Sequence, residues 1–220
     1  MRLALTLAWK DLHIEMRSKK MLTVILLFSF VLVLVGSFTY RWQVSSITYL
    51  LPLLWLVSVF TQLLFLSEAY HHEIADGCFD ALRMSPVRGF QLLVGKLLAS
   101  LALVLSVNIA VMLEIAIFAT APELLRLELF ALLVLETIGL LAIGNLFFAR
   151  IASGESTNLD VFPIVVILSV PLLFVAVDIS QLSLLGRPPA DQALPYTVLI
   201  VYDLFLVGCS SLAYRSMIDD

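Results

Sequence analysis

Charge is what this chain has least of. Of its 220 residues, 14% are Asp, Glu, Lys or Arg, and 61% are hydrophobic. Soluble domains carry about a quarter charged residues and roughly half hydrophobic ones. The mean hydropathy is +1.05. Such a chain cannot cover itself with a polar surface in water, which excludes a soluble enzyme and a disordered protein. Basic residues are scarcer than acids, giving a net charge of −4. No basic face is therefore available for nucleic-acid phosphates. Two cysteines, Cys78 and Cys209, cannot build a disulfide framework. There is no Cys-x-x-Cys-His run for haem attachment. The three tryptophans, Trp9, Trp42 and Trp55, are scattered and form no tryptophan-rich haem platform; Trp42 fits an interfacial belt. A phosphate-binding loop is missing too. Five residues separate Gly89 from Gly95-Lys96, and Leu97 stands where a hydroxyl residue is needed. The chain has no ATP site of its own.

What is present is long apolar runs. A bilayer core takes about 20 apolar residues per helix. Residues 21–40 and 44–67 carry no charge. Residues 97–120 are interrupted by Glu114, residues 129–149 by Glu136, and residues 193–214 by Asp203. Residues 161–177 are free of charge. This predicts an all-α integral membrane fold, one transmembrane domain over residues 1–220. Its six spans lie at about 21–40, 44–67, 97–120, 127–149, 160–180 and 193–214. No signal peptide is expected, because the first run is of full span length and no small-residue cleavage site follows it. Ten of the 13 basic residues fall on one side of this topology; Arg41, Arg126 and Arg187 fall on the other. The positive-inside rule then puts both termini in the cytoplasm.

Two segments on that side stand apart. Residues 1–20 are polar enough to leave the membrane and are patterned as a helix. Leu5, Trp9, Leu12 and Met16 share one face, while Lys10, His13 and Arg17 lie on another. A helix of this kind lies in the interface plane. Residues 68–96 form the only cytoplasmic loop large enough to dock a partner. Gly77 can turn the chain. Residues 79–84 suit a short helix with Phe79 and Leu82 on its exposed edge, and Pro86 stops it. Such a helix fits a groove on a partner, with Glu73 and Asp80 as rim charges.

His71-His72-Glu73 is not a metal site, since adjacent helical side chains point about 100° apart. Solvated polar residues at a span end are the plainer reading. Glu114, Glu136 and Asp203 are more informative. A charge at the bilayer centre costs about 3 kcal/mol on insertion scales, so such residues face the bundle interior or a wet cavity. They form a candidate intramembrane polar site, a substrate path or proton relay. The alternative is protonated acids hydrogen-bonded between helices, with Asn108 and Asn145 as acceptors. Gly139 and Gly144 allow close helix approach, and Pro163 and Pro171 can kink the fifth span; packing alone would explain all four.

Taken together, these segments resemble the CcmB family, the membrane subunit of the cytochrome c maturation ABC transporter. The resemblance rests first on Lys10-Asp11-Leu12-x-x-Glu15-x-Arg17 and on Pro52-Leu53-Leu54-Trp55. It continues with Tyr70-x-x-Glu73-x-x-x-Gly77, Leu82-x-x-Ser85-Pro86-Val87, Gly95-Lys96 and Pro171-Leu172-Leu173. Glu68, Ala81 and Ile167 depart from the family pattern, where Arg, Gly and Pro are usual, and Glu114 is not part of it.

The resemblance implies an ABC-2-type permease with an N-terminal interfacial helix (Lys10, Asp11, Glu15, Arg17) and a cytoplasmic coupling helix. It places the chain in the bacterial inner membrane. It implies a non-catalytic subunit that binds no cofactor itself. ATP would be used by a separate ATPase, CcmA, and haem would be handled by the complex. ATP use would be tied to release of the haem-loaded chaperone CcmE from CcmC, with permeases working as a pair. The expected ATPase contact comprises Glu73, Asp76, Gly77, Phe79, Asp80, Leu82, Ser85 and Pro86. Two other readings fit the same spans: a generic ABC-2 exporter of lipid or drug, and a proton-coupled carrier using Glu136 and Asp203. A membrane enzyme fits least, because no loop presents a nucleophile–base or metal constellation.

Overall fold

In lipid no water is available for backbone N–H and C=O groups, so long apolar segments close their hydrogen bonds as helices. The computed structural model describes residues 2–17, 19–43, 50–75, 89–152, 158–187 and 192–219. Among them are seven α-helices and no strand. They are α1 (Arg2–Arg17), α2 (Lys19–Gln43), α3 (Leu50–Ala75), α4 (Gly89–Phe118), α5 (Leu127–Ala152), α6 (Asn158–Leu184) and α7 (Ala193–Asp219). A 3-10 turn, Pro122–Leu125, joins α4 to α5.

Five helices, α3 to α7, are long and apolar enough to cross a membrane. The first expected span falls on α2, whose described apolar stretch, Leu22–Phe38, is shorter than these. Helix ends also differ from the span ends read off the sequence. α4 has 30 residues, about 45 Å at 1.5 Å per residue, against a hydrocarbon core of about 30 Å. A helix need not stop where the lipid stops. So α3 continues to Ala75 and α4 already starts at Gly89, and both flanks of the expected 68–96 loop are helical. The expected coupling helix, with Asp76, Gly77, Phe79, Asp80, Ala81, Leu82, Ser85 and Pro86, lies outside the described residues.

α5 is the hub and packs against α3, α4, α6 and α7. α3 and α5 are the most buried spans, α6 and α7 the least. Large apolar residues such as Leu27, Val35, Ile117, Phe174 and Leu204 are exposed. In water that surface would drive aggregation; in a bilayer it is the face that meets lipid tails. Gly144 of α5 lets Leu66 of α3 sit against its backbone, the close approach that small residues allow. α6 runs unbroken through Pro163 and Pro171. Pro171 brings no N–H to its own turn, and nearby Tyr202 of α7 donates its hydroxyl to the Leu168 carbonyl (3.1 Å). Trp55 of α3 ties to α6, its Nε1 donating to Ser180 Oγ at 3.0 Å.

α1 is a helix, as the pattern predicts, and packs on α4. Its inward face differs from the predicted stripe. Leu7, Ala8, Asp11 and Leu12 are half-buried, whereas Trp9 is 70% exposed. Hydrophobic patterning cannot tell a side chain packed on protein from one that faces lipid.

α4 and α6 end alike. Ala121 N donates to Ala116 O (2.9 Å) and Thr120 N to Ile117 O (3.3 Å); Arg187 N donates to Leu182 O (3.1 Å) and Gly186 N to Ser183 O (3.0 Å). These are paired 6→1 and 5→2 bonds around a left-handed residue. At α6 that residue is Gly186, φ 70°, but at α4 it is Thr120, φ 53°. A left-handed β-branched residue costs about 1–2 kcal/mol. Thr120→Asn should therefore raise thermal stability in detergent by about 1 kcal/mol; an unchanged or lower melting temperature would show that the turn is relaxed as it stands. Beside this turn Arg126 Nη1 donates to the Ser183 carbonyl (2.8 Å), a cation closing the C-terminus of α6. Ser183 Oγ in turn donates to Glu128.

Candidate functional site

Two buried polar clusters lie along the bundle. The first joins the helices that flank residues 76–88. Tyr70 near the end of α3 and Tyr214 of α7 are both buried, with hydroxyls 2.7 Å apart. Both reach the Asn145 carbonyl of α5, Tyr70 at 3.1 Å and Tyr214 at 3.2 Å, and Tyr70 also lies 3.2 Å from Asn145 Oδ1. Asn145 Nδ2 donates to Leu141 O (2.8 Å), which fixes the amide. Each hydroxyl has one proton, so one of the two tyrosines donates to the other and keeps none for Asn145.

Lys96 of α4 completes this cluster. It is only 5% exposed, and its Nζ lies 4.7 Å from the centre of the Tyr70 ring. That is cation–π range, and such contacts strengthen when desolvated. The Tyr70 ring also stacks on Phe148 of α5, centroids 6.1 Å apart. One knot therefore holds α3, α4, α5 and α7.

The second cluster sits midway along the spans. Glu136 of α5 is fully buried. Ser58 Oγ donates to its Oε2 (3.2 Å), and Gln62 Nε2 donates to Oε2 (3.0 Å) and Oε1 (3.3 Å). Ser58 and Gln62 are one turn apart on α3, with Gln62 Nε2 also donating to Ser58 Oγ at 3.1 Å. The Thr137 hydroxyl, 3.5 Å from Glu136 Oε2, donates to Leu133 O (2.7 Å) and accepts from Asn108 Nδ2 of α4 (3.3 Å). Asp203 of α7 lies against Gly139, one turn from Glu136 on α5. Its carboxyl occupies the space that a Cβ at 139 would take.

The candidates named from the sequence divide as follows. Glu136 and Asp203 come together in this cluster. Glu114 does not: it is half-buried on α4, six residues or about 9 Å along the axis from Asn108. Lys10 and Asp11 form an ion pair (3.3 Å) on α1. Glu15, Arg17 and Glu73 are helical, with side chains outside the described set. Ile167, one of the departures expected from the resemblance, is 67% exposed on the outside of the bundle. Asn145 is not an acceptor for an acid, as the sequence suggested, but serves the tyrosines. Ser58, Gln62 and Tyr214 were missed, because small polar residues and a tyrosine near a span end carry no signal until a neighbouring helix is placed.

The polar knots are set into a chain that matches one family almost end to end. Residues 2–213 match the model of the CcmB protein family. This chain belongs to the CcmB family. No curated protein and no solved structure matches it. CcmB membership makes it a membrane component of a haem-exporter ABC transporter in cytochrome c maturation, working with an ATPase and other Ccm components. With several apolar helices, it is a multi-pass protein of the inner membrane. Tyr70 and Lys96, two of the residues on which the sequence resemblance rests, meet in the first cluster.

Proposed function

We propose that the chain is a non-catalytic, ABC-2-like permease subunit that converts ATP-driven closure of a separate ATPase, CcmA, into movement of its own helices. ATP is bound by the partner, and haem is handled by the complex. The movement serves release of haem-loaded CcmE from CcmC. The supporting observation is the Tyr70–Lys96–Asn145–Tyr214 cluster. Tyr70 and Lys96 stand at the two flanks of residues 76–88; Lys96 lies over the Tyr70 ring, and Tyr70 bonds to α5 and α7. A push on that segment would reach the hub helix and the last span through rigid helix and buried contact rather than through a slack loop. Permeases of this kind act as a pair.

The basic-residue count supports an orientation in which this cluster lies on the cytoplasmic side, with α1 in the interface. A fluorescent protein fused after Asp220 should then fluoresce, and an alkaline phosphatase at the same point should be inactive; the reverse pattern would invert the topology.

The segment around Phe79, with Glu73, Asp76, Gly77, Asp80, Leu82, Ser85 and Pro86, is the proposed ATPase contact. Phe79→Asp should abolish copurification of the ATPase from detergent while membrane insertion is kept. Undiminished copurification would refute this contact. Pull-down of the native chain followed by mass spectrometry should recover an ATPase together with haem-handling proteins. Recovery of neither would leave the carrier reading as the better one.

A further inference from the structure

The Glu136 cluster has too many acceptors. Gln62 Oε1, Asn108 Oδ1 and both carboxylate oxygens of Asp203 are buried without a hydrogen-bond partner. Asp203 is 5% exposed, Asn108 1% and Gln62 fully buried. Buried polar groups are nearly always paired, and a buried ionised carboxylate without donors is among the costliest arrangements a protein can hold. Asp203 therefore requires a ligand that brings positive charge.

No helix packed around it supplies that charge from its described residues. α3 contributes Ser58 and Gln62, which reach Glu136. α4 contributes Asn108, with Lys96 about 18 Å away along the axis, engaged with Tyr70, and Glu114 about 9 Å the other way. On α5 the residue facing the site is Glu136; Arg126 lies ten residues before it, about 15 Å, and is turned to Ser183. α6 has no ionisable residue between Asp160 and Asp178. On α7, neighbouring Tyr202 is committed to Leu168. Two carboxyl groups about one turn apart cannot both be ionised here without a cation between them.

The two acids are also unequal. Glu136 receives hydrogen bonds from Ser58 and Gln62, which suit an anion, and Asp203 receives none. We propose that Glu136 and Asp203 form a proton-binding site inside the bundle, with the proton resident on Asp203 and Glu136 as its partner base. The two carboxyls are not hydrogen-bonded to each other as they stand, so transfer, which breaks the O–H bond on Asp203 and makes one on Glu136, requires α7 to bring the Asp203 hydroxyl onto Glu136; the charge of the pair is unchanged. The site couples α5 to α7, so a shift of α7 changes which acid holds the proton. It stands apart from the ATPase-coupling reading and is tested without any ATPase assay.

The test uses the full chain in its native complex, in lipid nanodiscs at neutral pH. Infrared spectra should contain a protonated-carboxyl C=O band that Asp203→Asn removes. Dicyclohexylcarbodiimide, which attacks neutral carboxyls in apolar surroundings, should label the native chain at Asp203 by peptide mapping. Labelling should persist in Glu136→Gln and when sodium replaces potassium in the buffer. Mapping of the native chain stands even where a variant fails to assemble. Absence of the band and of the label at Asp203, or a band that Asp203→Asn leaves in place, would overturn the proposal. Suppression of labelling by sodium would also overturn it, in favour of a metal cation at the same oxygens.

Discussion

Trp55→Ala should lower the stability of the folded bundle by about 2–3 kcal/mol, and Trp55→Phe by only about 1 kcal/mol. Trp55 is 1% exposed and is one of the largest fully buried side chains. Truncation to Ala leaves a void that rigid helices on both sides cannot close. In soluble cores such voids cost about 24 cal/mol per Å³ on top of the transfer term. That transfer term is largely absent here, because the alternative environment is lipid rather than water. The void dominates, and the lost Nε1–Ser180 bond adds to it. Phe fills most of the space and forfeits mainly that bond. Ser180 is not orphaned in either variant, because its hydroxyl also donates to the Ala176 carbonyl (2.6 Å). Melting of the purified protein in detergent measures both. Equal losses for Ala and Phe would mean that the hydrogen bond, not the packing, holds α3 to α6.

Tyr70→Ala should abolish cytochrome c maturation while the ATPase still copurifies. The ring supports three things: the stack on Phe148, the face under Lys96, and a hydroxyl shared with Tyr214 and Asn145. Its removal uncovers a nearly buried ammonium and opens the knot that links both flanks of residues 76–88 to α5 and α7. Tyr70→Phe keeps the ring and loses one hydroxyl, for about 1 kcal/mol, and should retain most of the activity. The measurement is the yield of haem-loaded cytochrome c in a strain carrying each variant, beside a pull-down for the ATPase. Wild-type yield with Tyr70→Ala would sink the idea that force passes through this cluster. Loss of the ATPase in the same variant would show instead that the ring shapes the docking surface.

The spans were legible because the bilayer imposes a length and an apolar composition on each helix separately. Glu136 and Asp203 were legible for the same reason, since an acid inside an apolar run is conspicuous. Their partners were not. Ser58 and Gln62 are ordinary small polar residues on α3, and nothing in their own segment says that they point at α5. Asn145, an acceptor for an acid only in the alternative reading, serves the tyrosines, because an amide inside a span shows what it can bond and not which neighbour will arrive. For α1 the pattern says less: Leu7 and Leu12 pack on the bundle and Trp9 is exposed, a division that an amphipathic pattern does not make.

A charged fraction of 14% determined by itself that this protein lives in lipid, and the lengths of the runs between those few charges determined that its backbone is helical and where most of its spans fall. In a waterless medium a helix is the structure in which a single apolar run of about 20 residues closes its own backbone hydrogen bonds, and that requirement is local to each segment. Only the tertiary structure decided which of the few polar groups meet. It brought Tyr70, Lys96, Asn145 and Tyr214 into one knot and placed the Asp203 carboxyl against Gly139, where no donor reaches it. Those encounters depend on how helices cross and rotate against one another, which is set by side-chain packing across the bundle and leaves no periodic trace in any single run.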